Sequence, residues 1–321
     1  NGRAIDFRPN PGKPFGLKPR ALLRFIGAWG GAVRHGRGLI GELRLAAGGA
    51  NPVVVAMGGF VAAPLVQAAR AERCRVLMMN LDAVPGRANR WIAGRADRIL
   101  TTAAVPNATW TRIPPIVRSA AHWPGTPAAA RSSLGLDPEA RTLFVTGASQ
   151  GATSLNRLVM RLVADAPQLF QGWQIIHQTG PSDTADAKDA YAAANIRAVV
   201  EPFFDVMGPC WGAADCGLAR AGAGSVAEAW ANRVPTLFMP YPYHADQHQR
   251  ANAQELFAAG GAEIADDLID PIRNASGAAG AGLRTLLSDG GRRAAMSTGL
   301  ASLGPADGAL IAAAAINEIA L

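Results

Sequence analysis

Leu-Ala-Arg-Ala-Gly-Ala-Gly-Ser-Val-Ala-Glu, residues 218–228, carries a short apolar strand through a glycine-rich turn into a helix. The design suits an anion. Gly222 and Gly224 let backbone N–H groups approach a ligand without an intervening Cβ, and a helix starting near Ser225 aims its positive dipole end at the same place. Arg220 adds a permanent charge. A second loop of this kind, Gly147-Ala148-Ser149-Gln150-Gly151-Ala152, follows the apolar run 142–146. Two such loops in one half of a chain point to a nucleoside diphosphate rather than a lone phosphate.

Working outward, further strands are expected at 173–178, 196–200, 214–219, 235–239 and 262–265, with helices between them. Strand and helix in alternation predict an α/β, doubly wound parallel sheet whose ligand site lies at the carboxyl ends of the strands, where both loops fall. Upstream, 51–57, 75–79 and 97–101 read as three more strands, with helices between Phe60 and Arg73 and over 87–94. The proline-rich stretch 105–137 lacks periodicity and reads as a connection between domains. From Pro271 onward the chain is alanine-rich and helical, and its last helix, near 305–321, is expected to pack back on the first domain.

The 321 residues are enough for two domains, and 49% hydrophobic with 17% charged residues is a globular composition. No uncharged apolar run reaches the roughly 18 residues of a spanning helix. Cys74, Cys210 and Cys216 are too few and too irregularly spaced for a disulfide framework or a zinc site, and read as small core hydrophobes. The net charge is +7, and the first 50 residues alone, with nine Lys or Arg against Asp6 and Glu42, account for all of it. No nucleic-acid motif accompanies this charge, so nucleic acid is not an expected partner. Within 20–34, Leu22, Phe25, Ile26, Trp29 and Val33 share one helix face and Arg20, Arg24 and Arg34 the other. Such a helix packs its apolar stripe on a core or rests on an anionic membrane surface; Arg20, Arg24 and Trp29 are the candidates for the second role.

Five ordered motifs carry a family likeness: Met57-Gly58-Gly59-Phe60, Pro85-Gly86-Arg87-Ala88-Asn89, the loop 147–152, the segment 220–228, and Asp246-Gln247-His248-Gln249 with Asn252-Ala253. From about Lys18 onward the chain resembles the MurG family of N-acetylglucosaminyltransferases. The resemblance implies a GT-B fold of two Rossmann-like domains with parallel sheets facing across a cleft. It divides the chain into an N-terminal domain (1–122) lacking its first strand and glycine-rich loop, a linker (123–140), a UDP-sugar domain (141–304) and the returning helix (305–321). The implied reaction is inverting transfer of GlcNAc from UDP-GlcNAc to the lipid-linked acceptor lipid I, giving lipid II in peptidoglycan synthesis at the cytoplasmic face of the cell membrane. No cofactor is implied, and since no Asp-x-Asp follows a strand, no metal is expected.

Carried over by position, the resemblance puts Ser149, Gln150, Gly151, Arg220, Gly222, Ala223, Gly224 and Ser225 around the donor diphosphate. Phe204 would meet the uracil through its backbone, Glu228 would grip the ribose hydroxyls, and His248 and Gln249 would read the sugar. Arg118 corresponds to the arginine at the hinge; Gly58, Gly59, Asp82 and Asn89 fall on the acceptor side. Plain structural roles compete. Ser225 and Glu228 also spell a capping box, Ser149 could cap its helix, Arg220 could form a surface ion pair, and Asp246 reads as an N-cap. His122 and His177 read as structural histidines, and His244 could be either structural or a ligand.

Two departures stand out. The family's histidine-bearing glycine loop is absent, so the chain reads as a fragment of a longer protein or as an inactive relative. At Met79-Asn80-Leu81-Asp82 the family has His-Glu-Gln-Asn, so only Asp82 remains as a carboxylate and weak candidate for a catalytic role. A turn-forming Asp is its structural alternative. Two other functions stay open: a GT-B transferase acting on another lipid, and a UDP-sugar-binding protein without turnover.

Overall fold

The computed structural model describes residues 7–13, 18–107, 109–148, 151–243 and 246–320, with the side chains of 21 and 22 left aside. The chain forms two compact units: residues 1–81, 85–113 and 309–321, and residues 82–84 with 114–308.

The first unit opens with α1 (Pro19–Ala46) and continues through β1 (Val54–Ala56), α2 (Ala62–Ala71), β2 (Val76–Asn80), α3 (Arg87–Ala93), β3 (Arg98–Thr101) and β4 (Thr111–Arg112). Its four strands lie in the order β1-β2-β3-β4, all parallel, with Val55 beside Leu77 and Met78 beside Ile99. β2 is buried throughout, as a central parallel strand covered on both faces must be, which explains its unbroken apolar run.

α1 extends twelve residues past the 20–34 expected from the apolar stripe. Gly36, Gly38 and Gly41 weaken the helical pattern in sequence, but a Cβ on Gly36 would stand 3.1 Å from that of Ala68. Glycine thus permits the close approach of α1 to α2. The inner face of α1 is Phe25, Trp29, Ala32, Val33, Gly36 and Ile40, while Leu23 and Ile26 stand 69% and 59% exposed. Ile26 therefore leaves the stripe it was expected to share.

The second unit runs through α4 (Pro127–Ser133), β5 (Arg141–Thr146), α5 (Thr153–Asp165), β6 (Trp173–Gln178), α6 (Thr184–Ala193), β7 (Ala198–Glu201), α7 (Gly208–Ala213), β8 (Cys216–Ala219) and α8 (Ala223–Ala231). It closes with β9 (Thr236–Phe238), α9 (His248–Ala258), β10 (Ala262–Ile264), α10 (Pro271–Ser276), α11 (Ala278–Ser288) and α12 (Gly290–Ser302). The last helix, α13 (Gly308–Ala320), belongs from Ala309 on to the first unit.

All six strands of the second sheet are parallel, ordered β10-β9-β8-β5-β6-β7. Successive strands therefore run outward one way from β5 and then the other way from β8. The order reverses between β5 and β8, and at such a switch point the carboxyl ends of the two strands part to leave a crevice. Thr146 is paired with Ala219, so the two glycine turns leave the sheet side by side. Beneath them, Phe144 meets Trp211 edge to face at 4.9 Å, both fully buried. Each contributes on the order of 1.5–3 kcal/mol by burial. Cys74, Cys210 and Cys216 are buried free thiols, in keeping with their reading as core residues.

Three small elements, β4, a single 3-10 turn at Ser119–Ala121 and α4, fall in the stretch 105–137 that showed no periodicity. β4 is a two-residue strand, too short for one. α4 is fixed by Thr126, whose Oγ1 accepts the Ala129 N–H at 3.2 Å.

Candidate functional site

The two glycine turns are built on different grounds. After β5, a Cβ on Gly147 would lie 2.2 Å from the Ala152 nitrogen, and one on Gly151 would lie 2.4 Å from the Thr179 carbonyl oxygen. Gly151 also has φ +72°, so packing and backbone both demand glycine there. After β8, a Cβ on Gly222 or on Gly224 would meet nothing within 4 Å. The protein itself has no steric need of glycine at these two positions. Ser149 and Gln150 lie outside the described residues.

Both turns deliver helix N-termini to the switch point. Ala152 is the N-cap of α5 and Gly222 that of α8, and neither has a side-chain cap. In α8 the first bond runs from the Val226 N–H to the Gly222 carbonyl, leaving the amides of Ala223, Gly224 and Ser225 without a helical partner. α8 thus starts before Ser225, and Ser225 is buried inside its first turn. The capping-box alternative does not form, because Glu228 turns elsewhere: its Oε2 accepts the Trp211 Nε1–H at 2.8 Å and its Oε1 lies 3.8 Å from Arg118 Nη2. Burial raises the Glu228 pKa above the usual carboxylate range, against the opposing pull of Trp211 and Arg118.

Arg220 is neither a free cation nor a surface ion pair. Its guanidinium lies 2.8 Å from Asp267 Oδ2, and it donates to the Met239 and Pro240 carbonyls and to Ser154 Oγ, all with the side chain 9% exposed. Burial pulls the Arg220 pKa down while Asp267 pushes it back up. Burial likewise raises that of Asp267, yet hydrogen bonds from Ser154, Asn274 and the Ile269 amide, with the Arg220 charge, leave the carboxyl below its ordinary value. Arg220 is therefore a buried tie between the ends of β8 and β9. It borders a 290 Å³ pocket together with Gly151, Ser154, Arg157 and Tyr241.

The remaining donor-side residues are held by neighbours. The Phe204 amide donates to Gln178 Oε1 at 3.1 Å, while Gln178 Nε2 donates to the Ala148 carbonyl at 3.0 Å. One carboxamide thus links the first glycine turn to the loop after β7. Gln249 Oε1 accepts the Tyr241 amide at 2.8 Å, and His248 Nδ1 meets Asp246 Oδ1 at 2.7 Å. The N-cap of α9 is Gln247 rather than Asp246, although Asp246 does accept the His248 amide at 3.3 Å. His177 is fully buried between Tyr191 and Asn156, and burial depresses its pKa to about 3, so it is a neutral core residue. His244 lies outside the described residues.

The acceptor-side candidates separate into two groups. In the first unit, Asn89 donates to Asn80 Oδ1 at 3.0 Å and accepts the Gly59 amide at 3.3 Å, and Gly58 and Gly59 have φ +90° and +78°. Asn80 is fully buried and donates to Thr101, so it serves the scaffold. Asp82 instead belongs to the second unit. Its Oδ1 accepts from Asn252 Nδ2 at 3.0 Å, the same nitrogen donates to the Ala221 carbonyl at 3.3 Å, and Asn252 Oδ1 accepts the Ala83 amide at 2.8 Å. Sequence reading missed this tie because its partners lie 170 positions apart. A buried asparagine is nonetheless expected to have its carboxamide paired at both ends.

Of the predicted membrane residues, Arg20 and Arg24 are exposed. Trp29 is half-buried, its Nε1–H donating to Gln67 Oε1 at 2.6 Å. Among the described residues no helix is long and apolar enough to cross a membrane.

Two parallel α/β units, the second in doubly wound order with amide-rich turns at its switch point, define a GT-B-type protein. The solved structure of MurG from Acinetobacter baumannii is similar over 91% of this chain and 79% of its own, with a TM-score of 0.67 at 23% identity. A UDP-N-acetylglucosamine 2-epimerase aligns over 88% of this chain and 74% of its own with a TM-score of 0.55 at 13% identity. The fold therefore serves more than one chemistry.

The glycosyltransferase family 28 C-terminal domain matches residues 142–268. A UDP-N-acetylglucosamine–N-acetylmuramyl-(pentapeptide) pyrophosphoryl-undecaprenol N-acetylglucosamine transferase of Mesorhizobium japonicum is 34% identical over 94% of this chain and 79% of its own length. The relative of the same name from Desulfotalea psychrophila is 36% identical over 65% of this chain, an alignment that spans 57% of that relative. The chain belongs to the MurG family of glycosyltransferases.

Proposed function

We propose that this protein transfers GlcNAc from UDP-GlcNAc to a lipid-linked muramyl-pentapeptide pyrophosphate, the step that completes the peptidoglycan precursor. The observation that carries the reading is the pair of uncapped helix N-termini, α5 and α8, at the switch point of a family 28 domain. Gly222 and Gly224 sharpen it: glycine stands where the protein has no steric use for it, as expected where a ligand approaches the backbone.

In this reading the acceptor hydroxyl attacks C1 of the donor sugar and UDP departs with inversion. The charge growing on the diphosphate is met by the amides of Ala223, Gly224 and Ser225, donors already aimed before reaction, and the 147–152 turn, Ser149, Gln150 and Gly151 among its residues, would contact the same diphosphate. Glu228, oriented by Trp211 and Arg118, accepts the ribose hydroxyls. Phe204 faces the uracil, and His248 and Gln249 face the sugar. Arg220 acts by holding Ser154 and the end of β9 rather than by touching phosphate. The unit that carries Gly58, Gly59 and Asn89 would meet the acceptor and the cytoplasmic membrane surface, with Leu23 and Ile26 entering the interface and Arg20 and Arg24 facing anionic headgroups.

The test is transfer of radiolabel from UDP-GlcNAc to lipid I by full-length protein. Labelled product of lipid II mobility is the expected result, and donor binding without any product would overturn the proposal. A second reading, transfer to a different lipid acceptor, is favoured by Met79 and Asn80. Both are buried, and neither can take a proton, so the acceptor side lacks groups found at the corresponding positions of the family pattern. Label in another polyprenyl product with lipid I inert would select it.

A further inference from the structure

The first unit contains a pocket of about 410 Å³ that none of the donor or acceptor assignments uses. Its walls are the rings of Phe25, Trp29 and Trp91, its floor is Ala63, and Phe60 and Ala88 stand at its rim. The size is that of a small-molecule site, about 300–1,000 Å³.

Its polar atoms are turned away or already paired. Trp29 Nε1–H donates to Gln67 at 2.6 Å, and the Trp91 ring is covered by the Arg95 guanidinium at 3.8 Å. Trp29 stands 57° to Phe25 and 85° to Trp91, so three aromatic faces of different tilt surround the space. The rings are thus fixed from behind and present carbon to the cavity. One charge lines it: Arg87, exposed and without a hydrogen bond or ion pair among the described residues. Around the pocket the surface is apolar too, with Leu23 and Ile26 on α1 and Met57 and Val61 beside Phe60 all exposed.

An apolar pocket open to the surface, with one unpaired guanidinium in its lining, fits an amphiphile whose tail enters and whose phosphate stays at the arginine. We infer that this pocket binds the first isoprenoid units of a polyprenyl phosphate, the lipid part of the acceptor. The inference rests on the lipid-linked acceptor of the proposed function and names where that lipid is held. Methyl-branched isoprenoid units, stiffened by their trisubstituted double bonds, fill a wide aromatic pocket with less rotational freedom lost than a saturated chain of equal length.

The experiment is titration of the 321-residue chain with monodisperse farnesyl phosphate, followed by calorimetry, with no UDP-sugar present. Saturable one-site binding is expected. Ala88→Trp, which fills the rim, should weaken it about tenfold or more, and dodecyl phosphate should bind correspondingly less well. Arg87→Gln should weaken farnesyl phosphate by about tenfold and leave farnesol unchanged. Phe60→Glu, at an exposed position, gives a second block should Ala88→Trp fail to fold by its melting curve. Absence of saturable binding, equal binding by folded blocked variants, or equal binding of dodecyl phosphate would each overturn the inference. No transfer step enters the measurement, so lost transferase activity leaves it standing. Transfer to lipid I without farnesyl phosphate binding would sink the pocket alone.

Discussion

The cations at the candidate binding surfaces of the two units are handled in opposite ways. In the second, the cations beside the glycine turns are matched: Arg220 is buried against Asp267, Arg118 lies toward Glu228, and deeper in the same unit Arg131 meets Asp215 at 2.9 Å. In the first, Arg37 and Arg44 pair with Glu72, Arg70 and Arg75 with Asp97 and Arg98 with Glu318, but Arg20, Arg24 and Arg34 on α1 and Arg87 at the start of α3 are exposed and carry no ion pair among the described residues. A unit that recognises an anion through backbone amides needs its side-chain charges neutralised, so that dipoles set the geometry. A unit that meets a charged surface needs its cations free, since each loses value once paired.

The largest expected effect is at the buried pair. Asp267→Asn leaves the Arg220 charge without its partner, and chemical denaturation should show a loss of about 3–5 kcal/mol. Because the Asp267 pKa is depressed in the fold, its contribution is present above the unfolded pKa and lost as pH falls through the folded one. The wild type should lose this increment on acidification and the variant should not. Equal stability of the two at neutral pH would break the contrast at its strongest point.

The glycine turns give a test with opposite signs. Gly151→Ala forces a Cβ against the Thr179 carbonyl at positive φ, where strain costs about 1–3 kcal/mol before the clash is counted, and should lower both stability and UDP affinity. Gly224→Ala adds a good helix former in open space inside α8, so stability should rise by up to about 1 kcal/mol while UDP affinity falls. Thermal melting and calorimetry on the same two proteins decide it. Unchanged UDP affinity in Gly224→Ala would remove the ligand as the reason for that glycine.

Glu228 supplies a pH signature. Its raised pKa means that protonation, and with it loss of the ribose grip, begins above the usual carboxylate range; UDP affinity should decline as pH falls through that value. The sign for folding is opposite, since a raised carboxyl pKa favours the folded state at low pH and that increment is lost as pH rises. Glu228→Gln should weaken UDP by about 1.5–3 kcal/mol and flatten the pH dependence. A variant that retains the slope places the titrating group elsewhere. The smallest effect is on the other unit: Arg20→Ala with Arg24→Ala should cost about 1 kcal/mol per arginine in binding to anionic vesicles, read by co-sedimentation and absent with neutral lipid.

What was legible in the sequence was what local chemistry writes locally. The apolar runs at 142–146 and 173–178 became β5 and β6 within a residue, and both glycine turns stand where strand leads into helix. What stayed hidden depends on partners far along the chain. Nothing near Arg220 announces Asp267, and nothing near Glu228 announces Trp211; so a buried tie read as a free cation, and a bound carboxylate also read as a cap. α1 was cut short for the same reason, because the small residues that weaken a helix in isolation are those that let it lie close against α2. Trp29, whose ring suits an interface by composition, is turned inward by Gln67 and leaves the exposed apolar positions to Leu23 and Ile26.

One carboxamide, that of Asn252, holds three partners from two stretches of backbone: the Asp82 carboxylate, the Ala83 amide and the Ala221 carbonyl. Hydrolysis of that amide to an acid would replace the shared N–H donor by a second anion against Asp82 and turn an attraction into repulsion. Spontaneous ageing of this single side chain would then unfasten residues 82–84 from the strand-to-helix turn at 220–222. Aged preparations should show it as a melting transition that drops more steeply with rising pH than that of freshly made protein.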